Sequence, residues 1–203
     1  MLYDISPLIS PRLAVWPGDT PPSREVLCDL ARGDNITLSS LRATVHLGAH
    51  ADAPNHYVPG PAIHERDLDL YLGPAQVIRV AVDRGTRILP EHLHGEVRAT
   101  RVLLCTGTFP DPEDFTTDFA ALSVALVDYL AAKGVRLVGI DTPSVDPFSS
   151  KELEAHHAIA RHDMAILEGL VLAGVPEGVY ELIALPLRLE GFDASPVRAV
   201  LRG

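Results

Sequence analysis

"ALSVALVDYLAAKGVRLVGID", residues 121–141, decides the fold. Val124, Leu126, Val127, Leu130 and Ala131 fall at helical spacing, Ser123 stands where an N-cap belongs, and Gly134 supplies the stop. The run VRLVGID that follows is short, apolar and β-branched, as a buried strand would be. Upstream, "RVLLCTG" (101–107) and "AQVIRVAV" (75–82) read the same way, each bounded by turn residues. The centre of the chain is therefore strand, helix, strand, which predicts an α/β fold. Working outward, "SSKELEAHHAIARH" (149–162) carries a Ser-x-x-Glu pattern from Ser149 to Glu152 and predicts a short capped helix. "AILEGLVL" (165–172), "YELIALPLRLEG" (180–191) and "SPVRAVLRG" (195–203) predict further strands, so the sheet content is mixed and helices are few. The N-terminal stretch "LYDISPLISPRLAVWPGDTPP" (2–22) is broken by prolines that forbid a helix interior, and predicts short extended pieces joined by turns.

Proline and glycine punctuate the 203 residues evenly, with no repeat, low-complexity tract or linker, which predicts one domain over residues 1–203. A hydrophobic content of 47% suffices for its core. The formal net charge of −10 opposes a broad phosphate-binding surface and argues against nucleic acid as a partner. Cys28 and Cys105 lie far apart, match no metal or redox spacing, and read as free thiols. The N-terminus lacks a basic region followed by an apolar core, and no apolar run approaches the roughly 18 residues of a membrane span. A soluble, cytoplasmic protein is expected.

The chemistry concentrates in "TVHLGAHADAPNHY" (44–57), which holds three of the chain's nine histidines. On a helix His46 and His50 would share a face, but Asp52 would lie about 200° around the axis from His50, and Pro54 would break the ladder. In an extended chain the even positions, His46, His50, Asp52 and His56 among them, point to one side. A straight strand would still separate His46 from His50 by about 13 Å, so the segment must bend around a centre, with Gly48 and Pro54 as the places where it can. Imidazole nitrogens and a carboxylate suit Zn²⁺ or a neighbouring first-row ion, and the absence of thiolates favours an open catalytic site over a closed structural one. Further along, Glu168 interrupts an apolar run: it either faces a cation or sits exposed at a strand edge. His156 lies on the second helix, where His157 and His162 are competing donors. Asp141, ending an apolar strand, either enters the site or caps the turn before Pro143. No Gly-x-Ser-x-Gly elbow accompanies Ser144, so a serine nucleophile finds no support.

These residues resemble the cyclase family of metal-dependent hydrolases, and within it the kynurenine formamidase branch. The family pattern His-x-Gly-Thr-His-x-Asp-x-Pro-x-His stands here as HLGAHADAPNH (46–56), with Ala49 in place of threonine. "VWPGDTP", "LLCTGT", "GIDTPSVDP" and "SKELEAHHAIARHDMAILEGL" extend the likeness over nearly the whole chain. The resemblance implies a swivelling β/β/α fold, a homodimer and two zinc ions. It implies that His46, His50 and Asp52 hold the first metal, that Asp52 and Glu168 bridge, and that His156 holds the second. It assigns His56 to acid/base chemistry, Trp16 to substrate contact, and hydrolysis of N-formyl-L-kynurenine to the whole. A cyclic-amide hydrolase of the isatin hydrolase kind is the nearest alternative; a non-catalytic metal-binding protein stands further off, because thiolates are missing and His56 remains for proton transfer.

Overall fold

The computed structural model describes residues 1–203. Its strands are β1 (Leu2–Asp4), β2 (Ser23–Cys28), β3 (Leu38–Arg42), β4 (His50–Asp52), β5 (Leu72–Arg79), β6 (Arg87–Ile88), β7 (Arg101–Cys105), β8 (Ala121–Leu122), β9 (Leu137–Ile140), β10 (Ala165–Glu168), β11 (Gly178–Ile183), β12 (Ala194–Pro196) and β13 (Val200–Arg202). The helices are α1 (Val124–Ala132) and α2 (Glu154–Arg161), joined by several single turns of 3₁₀ helix. Nine strands form one sheet in the order β1-β13-β11-β5-β7-β9-β10-β4-β12. Its centre is parallel, β5 to β7 to β9 to β10, and both flanks are antiparallel.

Parallel neighbours need crossovers, and α1 and α2 provide them between β7 and β9 and between β9 and β10. This is why β7, β9 and β10 read as unbroken apolar runs: every residue in them is buried, with side chains packed on both faces. On the helical face Val102, Leu104, Val138, Ile140 and Ile166 meet Leu126, Val127 and Leu130 of α1 and Ala155, Ala158 and Ile159 of α2. On the opposite face Val77, Leu103, Leu137 and Leu167 pack against Ile5, Ile63, Tyr71 and Leu170. The mixed sheet with two helices is the α/β architecture expected. α1 starts as predicted, the Ser123 hydroxyl accepting from the Leu126 amide at 3.1 Å, and the chain leaves it through Gly134 at φ +79°.

The second helix corrects its expected cap. Ser149 and Glu152 lie outside α2, which begins at Glu154 after Leu153 in left-handed conformation and takes no cap from a neighbouring side chain. The cap comes from Asp146, whose carboxylate accepts from the amides of Ala155 and His156 at 3.0 Å each. A capping carboxylate needs only to reach the free amides of the first turn, and the loop after β9 delivers one from outside the local pattern. β2 and β3 form a separate hairpin in which no residue is fully buried. No helix is long and apolar enough to cross a membrane.

Candidate metal centre

β4 lies between β10 and β12, in a register that places His50 opposite Glu168 and Asp52 opposite Ile166. Cross-strand partners point to the same face, so His50, Asp52 and Glu168 all project to the side covered by α2. α2 in turn presents His156 to them. The extended reading of residues 46–56 thus holds only for the short β4. The chain turns at Gly48, with φ +56°, and again where Pro54 opens a 3₁₀ turn that ends at His56. Gly48 makes the bend that the distance between His46 and His50 demands, and Pro54 the turn that brings His56 back to the same centre.

The donor atoms converge. His50 Nε2 lies 3.3 Å from Glu168 Oε2 and 3.5 Å from Asp52 Oδ1. His156 Nε2 lies 3.5 Å from Glu168 Oε1 and 3.6 Å from Asp52 Oδ2. Each carboxylate therefore turns one oxygen toward His50 and the other toward His156. His46 Nδ1 stands 3.1 Å from Asp52 Oδ1, and the donor atoms of His46, Asp52 and His56 lie within 4.8 Å of one another. Two ligands held about 2.0–2.1 Å from a tetrahedral zinc are separated by about 3.3 Å, which is the spacing found across this cluster. His50 Nε2 and both Asp52 oxygens are buried with no hydrogen-bond partner, a costly state for a protein interior unless a cation completes it. On donor chemistry, spacing and orphaned atoms, the residues fit a metal.

The surrounding groups fix which nitrogen each imidazole offers. His50 Nδ1 donates to the Gly48 carbonyl at 2.8 Å, and His156 Nδ1 donates to Asp146 at 2.8 Å, so both rings turn Nε2 to the centre. Gly169 leaves room for the Gly48 carbonyl: a Cβ there would lie 2.2 Å from that oxygen, and its φ of +64° also suits glycine. Glu168 Oε1 accepts from the Val145 amide at 2.7 Å.

Burial opposes charge here, yet the groups stay ionised through one another. Burial would lower the His46 pKa, but the nearby Asp52 carboxylate and the hydrogen bond to Asp193 push it up to about 9. His156 is likewise raised against burial, chiefly by Asp146 and then by Asp52 and Glu168. Burial works against the Asp52 carboxylate, and His156 and His46 nevertheless hold it well below the usual range. Glu168 is lowered by His156 and His50 against both burial and Asp52. Protons on the imidazoles and a bound metal are alternatives at this centre, because a metal takes its imidazole ligands deprotonated.

Above the donors opens a cavity of about 520 Å³, reached by His46, His50, His56, His156 and Glu168 from below and by Trp16 from the side. It lies beyond the C-terminal ends of β7, β9 and β10, where open α/β sheets commonly bind ligands. Half-buried Trp16 packs on Phe148 at a ring distance of 4.8 Å and edge-on to Phe115 at 5.6 Å. Asp141 reaches the cavity and also caps a turn, but not the one before Pro143: its carboxylate accepts from the Thr106 amide and hydroxyl and the Gly107 amide. His157 and His162 point away, to the Tyr57 carbonyl and to Asp128.

The cyclase family model, described as "Putative cyclase", matches residues 3–147. The chain belongs to the cyclase family. The kynurenine formamidase of Bordetella petrii is 48% identical, with 99% of this chain and 97% of that one aligned. That of Maricaulis maris is 46% identical over the same shares. A solved structure described as a potential metal-dependent hydrolase with cyclase activity superposes with a TM-score of 0.86 at 28% identity, covering 99% of this chain and 96% of its own.

Two residues that the sequence reading did not single out complete this cyclase-family centre. Asp146 lies in "GIDTPSVDP" after Asp141 and Ser144, with no local pattern of its own, and it both caps α2 and orients His156. Asp193 accepts from His46 Nε2 at 3.0 Å and stands 3.4 Å from His56 Nδ1. Its only signal was a place just before β12, whose pairing with β4 sets Ala194 opposite Asp52.

Proposed function

We propose that this protein is a metal-dependent kynurenine formamidase, hydrolysing N-formyl-L-kynurenine to L-kynurenine and formate in tryptophan degradation. The observation that carries the reading is the identity of 48% and 46% with two kynurenine formamidases over 99% of the chain. The donor cluster under an aromatic-walled cavity supports it chemically, because hydrolysis of an aryl formamide needs an activated water, a polarised carbonyl and a flat apolar seat for the ring.

His46, His50 and Asp52 would hold one zinc ion and His156 a second, with Asp52 and Glu168 shared, a division supported by the way each carboxylate turns one oxygen to His50 and the other to His156. Bound zinc supplies a water of pKa about 7 in place of 15.7 and polarisation of the formyl oxygen. The chain does the rest. Trp16 seats the aryl ring, and burial beneath the cavity excludes bulk water from the carboxylates. His56, exposed to the cavity and beside Asp193, is placed to carry the proton to the departing aryl amine. Ala49, buried where the family pattern has threonine, removes a hydroxyl and no donor.

Residues 1–203 act as one cyclase-like domain in this reading, and the active form is a homodimer. The β2–β3 hairpin supports the dimer, since Leu27, Leu30, Leu38 and Leu41 stand exposed on it and a lone two-stranded ribbon gains little from its own core. Two unpaired cysteines suit a cytoplasmic setting.

Metal content measured beside N-formyl-L-kynurenine turnover tests the proposal. Wild type should bind metal and release kynurenine, and His50→Ala should lose metal and fall at least about a hundredfold in rate. Metal-replete wild type that releases no kynurenine above the uncatalysed rate overturns it, and hydrolysis of isatin in preference to the formamide moves the protein to the isatin hydrolase reading.

A further inference from the structure

No lysine or arginine lines the 520 Å³ cavity, although the proposed substrate carries an α-amino acid tail with both an ammonium and a carboxylate. Outside the histidines of the metal centre its charged side chains are all acidic, so the ammonium is the end of the tail that they can bind. Four carboxylates reach the cavity: Asp19, Asp141, Glu168 and Asp193. Three are already committed. Asp141 is held by the Thr106–Gly107 turn, Glu168 belongs to the metal donors, and Asp193 is engaged by His46 and His56. Asp19 alone is free to take a ligand, being solvent-exposed and accepting a single side-chain bond, from the Thr44 hydroxyl at 3.3 Å.

Its position is fixed from two sides. Trp16, Pro17, Gly18 and Asp19 form a tight turn closed by the Asp19 amide on the Trp16 carbonyl at 2.9 Å, with Gly18 at φ +102°. Proline second and a positive-φ glycine third are the signature of a type II turn, which brings its end residues within about 7 Å of each other. Thr44 ties the same carboxylate to the donors, because its hydroxyl also accepts from the His46 amide at 3.3 Å. Trp16 and Asp19 thus stand at the two ends of one rigid turn, beside a metal donor. In formylkynurenine the ammonium is joined to the aryl ring through a three-carbon chain, a span of the same order as the roughly 7 Å limit between the ends of such a turn.

We infer that Asp19 binds the side-chain ammonium of the substrate while Trp16 seats its ring, so that the enzyme selects aryl formamides bearing an amine and leaves the α-carboxylate in solvent. This rests on the formamidase reading. The turn is built before substrate arrives, so the recognition needs no closure of the protein. A substrate keeping the carboxylate but lacking the amine brings its negative charge toward Asp19 with no ammonium to offset it, and is disfavoured.

Four formamides separate the terms: N-formyl-L-kynurenine, its decarboxylated amine, its deaminated acid, and unsubstituted formanilide. With metal-loaded wild type, kcat/KM for the decarboxylated amine should equal or exceed that for the amino acid, and the deaminated acid should be the poorest. In Asp19→Asn, which keeps an acceptor for Thr44, the preference for the amine over formanilide should fall roughly tenfold, through KM. Asp19→Glu should retain most of that preference. The inference is overturned if the deaminated acid is hydrolysed as well as the amine, or if the amine-to-formanilide ratio is the same in Asp19→Asn as in wild type. Both results leave the formamidase reading standing; wild type that hydrolyses none of the four sinks that reading itself.

Discussion

On the floor of the cavity His50, Asp52, Glu168 and His156 stand on β4, β10 and α2, all at most 3% exposed and each ring nitrogen assigned by a second hydrogen bond. On its wall Trp16, Phe109 and Phe115 come from irregular loops, half-buried, and hold one another through edge-on aromatic contacts of 5.6 to 5.8 Å. The floor must fix several donors to within a fraction of an ångström, which regular elements with locked rotamers can do. The wall must present a flat apolar surface, which tolerates loops. Metal binding and substrate recognition should accordingly fail separately.

Beyond the donors themselves the floor breaks hardest through Asp146, which does not line the cavity and is not a proposed donor. Asp146→Ala removes the acceptor of His156 Nδ1–H and the cap of α2 together. Metal affinity should fall about 10- to 100-fold, and stability by about 1 kcal/mol, the usual cost of a lost cap. Competition with a chelator of known affinity measures the first and thermal unfolding the second. A variant that unfolds earlier but binds metal as tightly as wild type would reduce Asp146 to a helix cap.

The wall should yield a smaller and different effect. Trp16→Ala is expected to raise KM for N-formyl-L-kynurenine about tenfold while metal content stays at the wild-type level, because Trp16 packs on Phe148 and Phe115 and on no metal donor. Steady-state kinetics beside metal analysis separate the two. Loss of metal in this variant would mean that wall and floor are one cooperative unit.

The same contrast explains what the sequence could carry. α1 was legible because its period, its Ser123 cap and its Gly134 stop are all local, and β7 and β9 because strands buried on both faces lose the alternating pattern. The donors from His46 to His56 were legible as a set because one bent segment holds them within eleven residues. Asp193 was not, since only the antiparallel pairing of β12 with β4 brings it to His46. Nor was the start of α2, where Asp146 from a preceding loop displaced the local Ser149 to Glu152 pattern. The aromatic wall left no trace beyond Trp16, because single phenylalanines in loops have neither period nor fixed spacing.

The smallest expected effect tests the charge on the floor alone. His46 titrates near 9 in the folded protein against an ordinary 6.5, raised against its burial by Asp52 and Asp193, and His156 is raised in the same direction. A histidine whose folded pKa lies above its unfolded one stabilises the fold fully below the unfolded value and ceases to do so as pH rises through the folded one. The lowered carboxylates of Asp52 and Glu168 act in the opposite sense, but their contribution is complete above the ordinary carboxylate range and stays constant across this window. Chelator-treated protein should therefore lose about 5 °C of Tm between pH 6.5 and 9.5. Metal-loaded protein should resist that loss, because a metal needs the imidazoles deprotonated and is held more tightly as pH rises. Parallel thermal melts with and without added Zn²⁺ make the comparison. A metal-free Tm that stays flat or climbs over this range would mean that His46 and His156 are not protonated against Asp52 and Glu168, and that the floor holds its shape by packing alone.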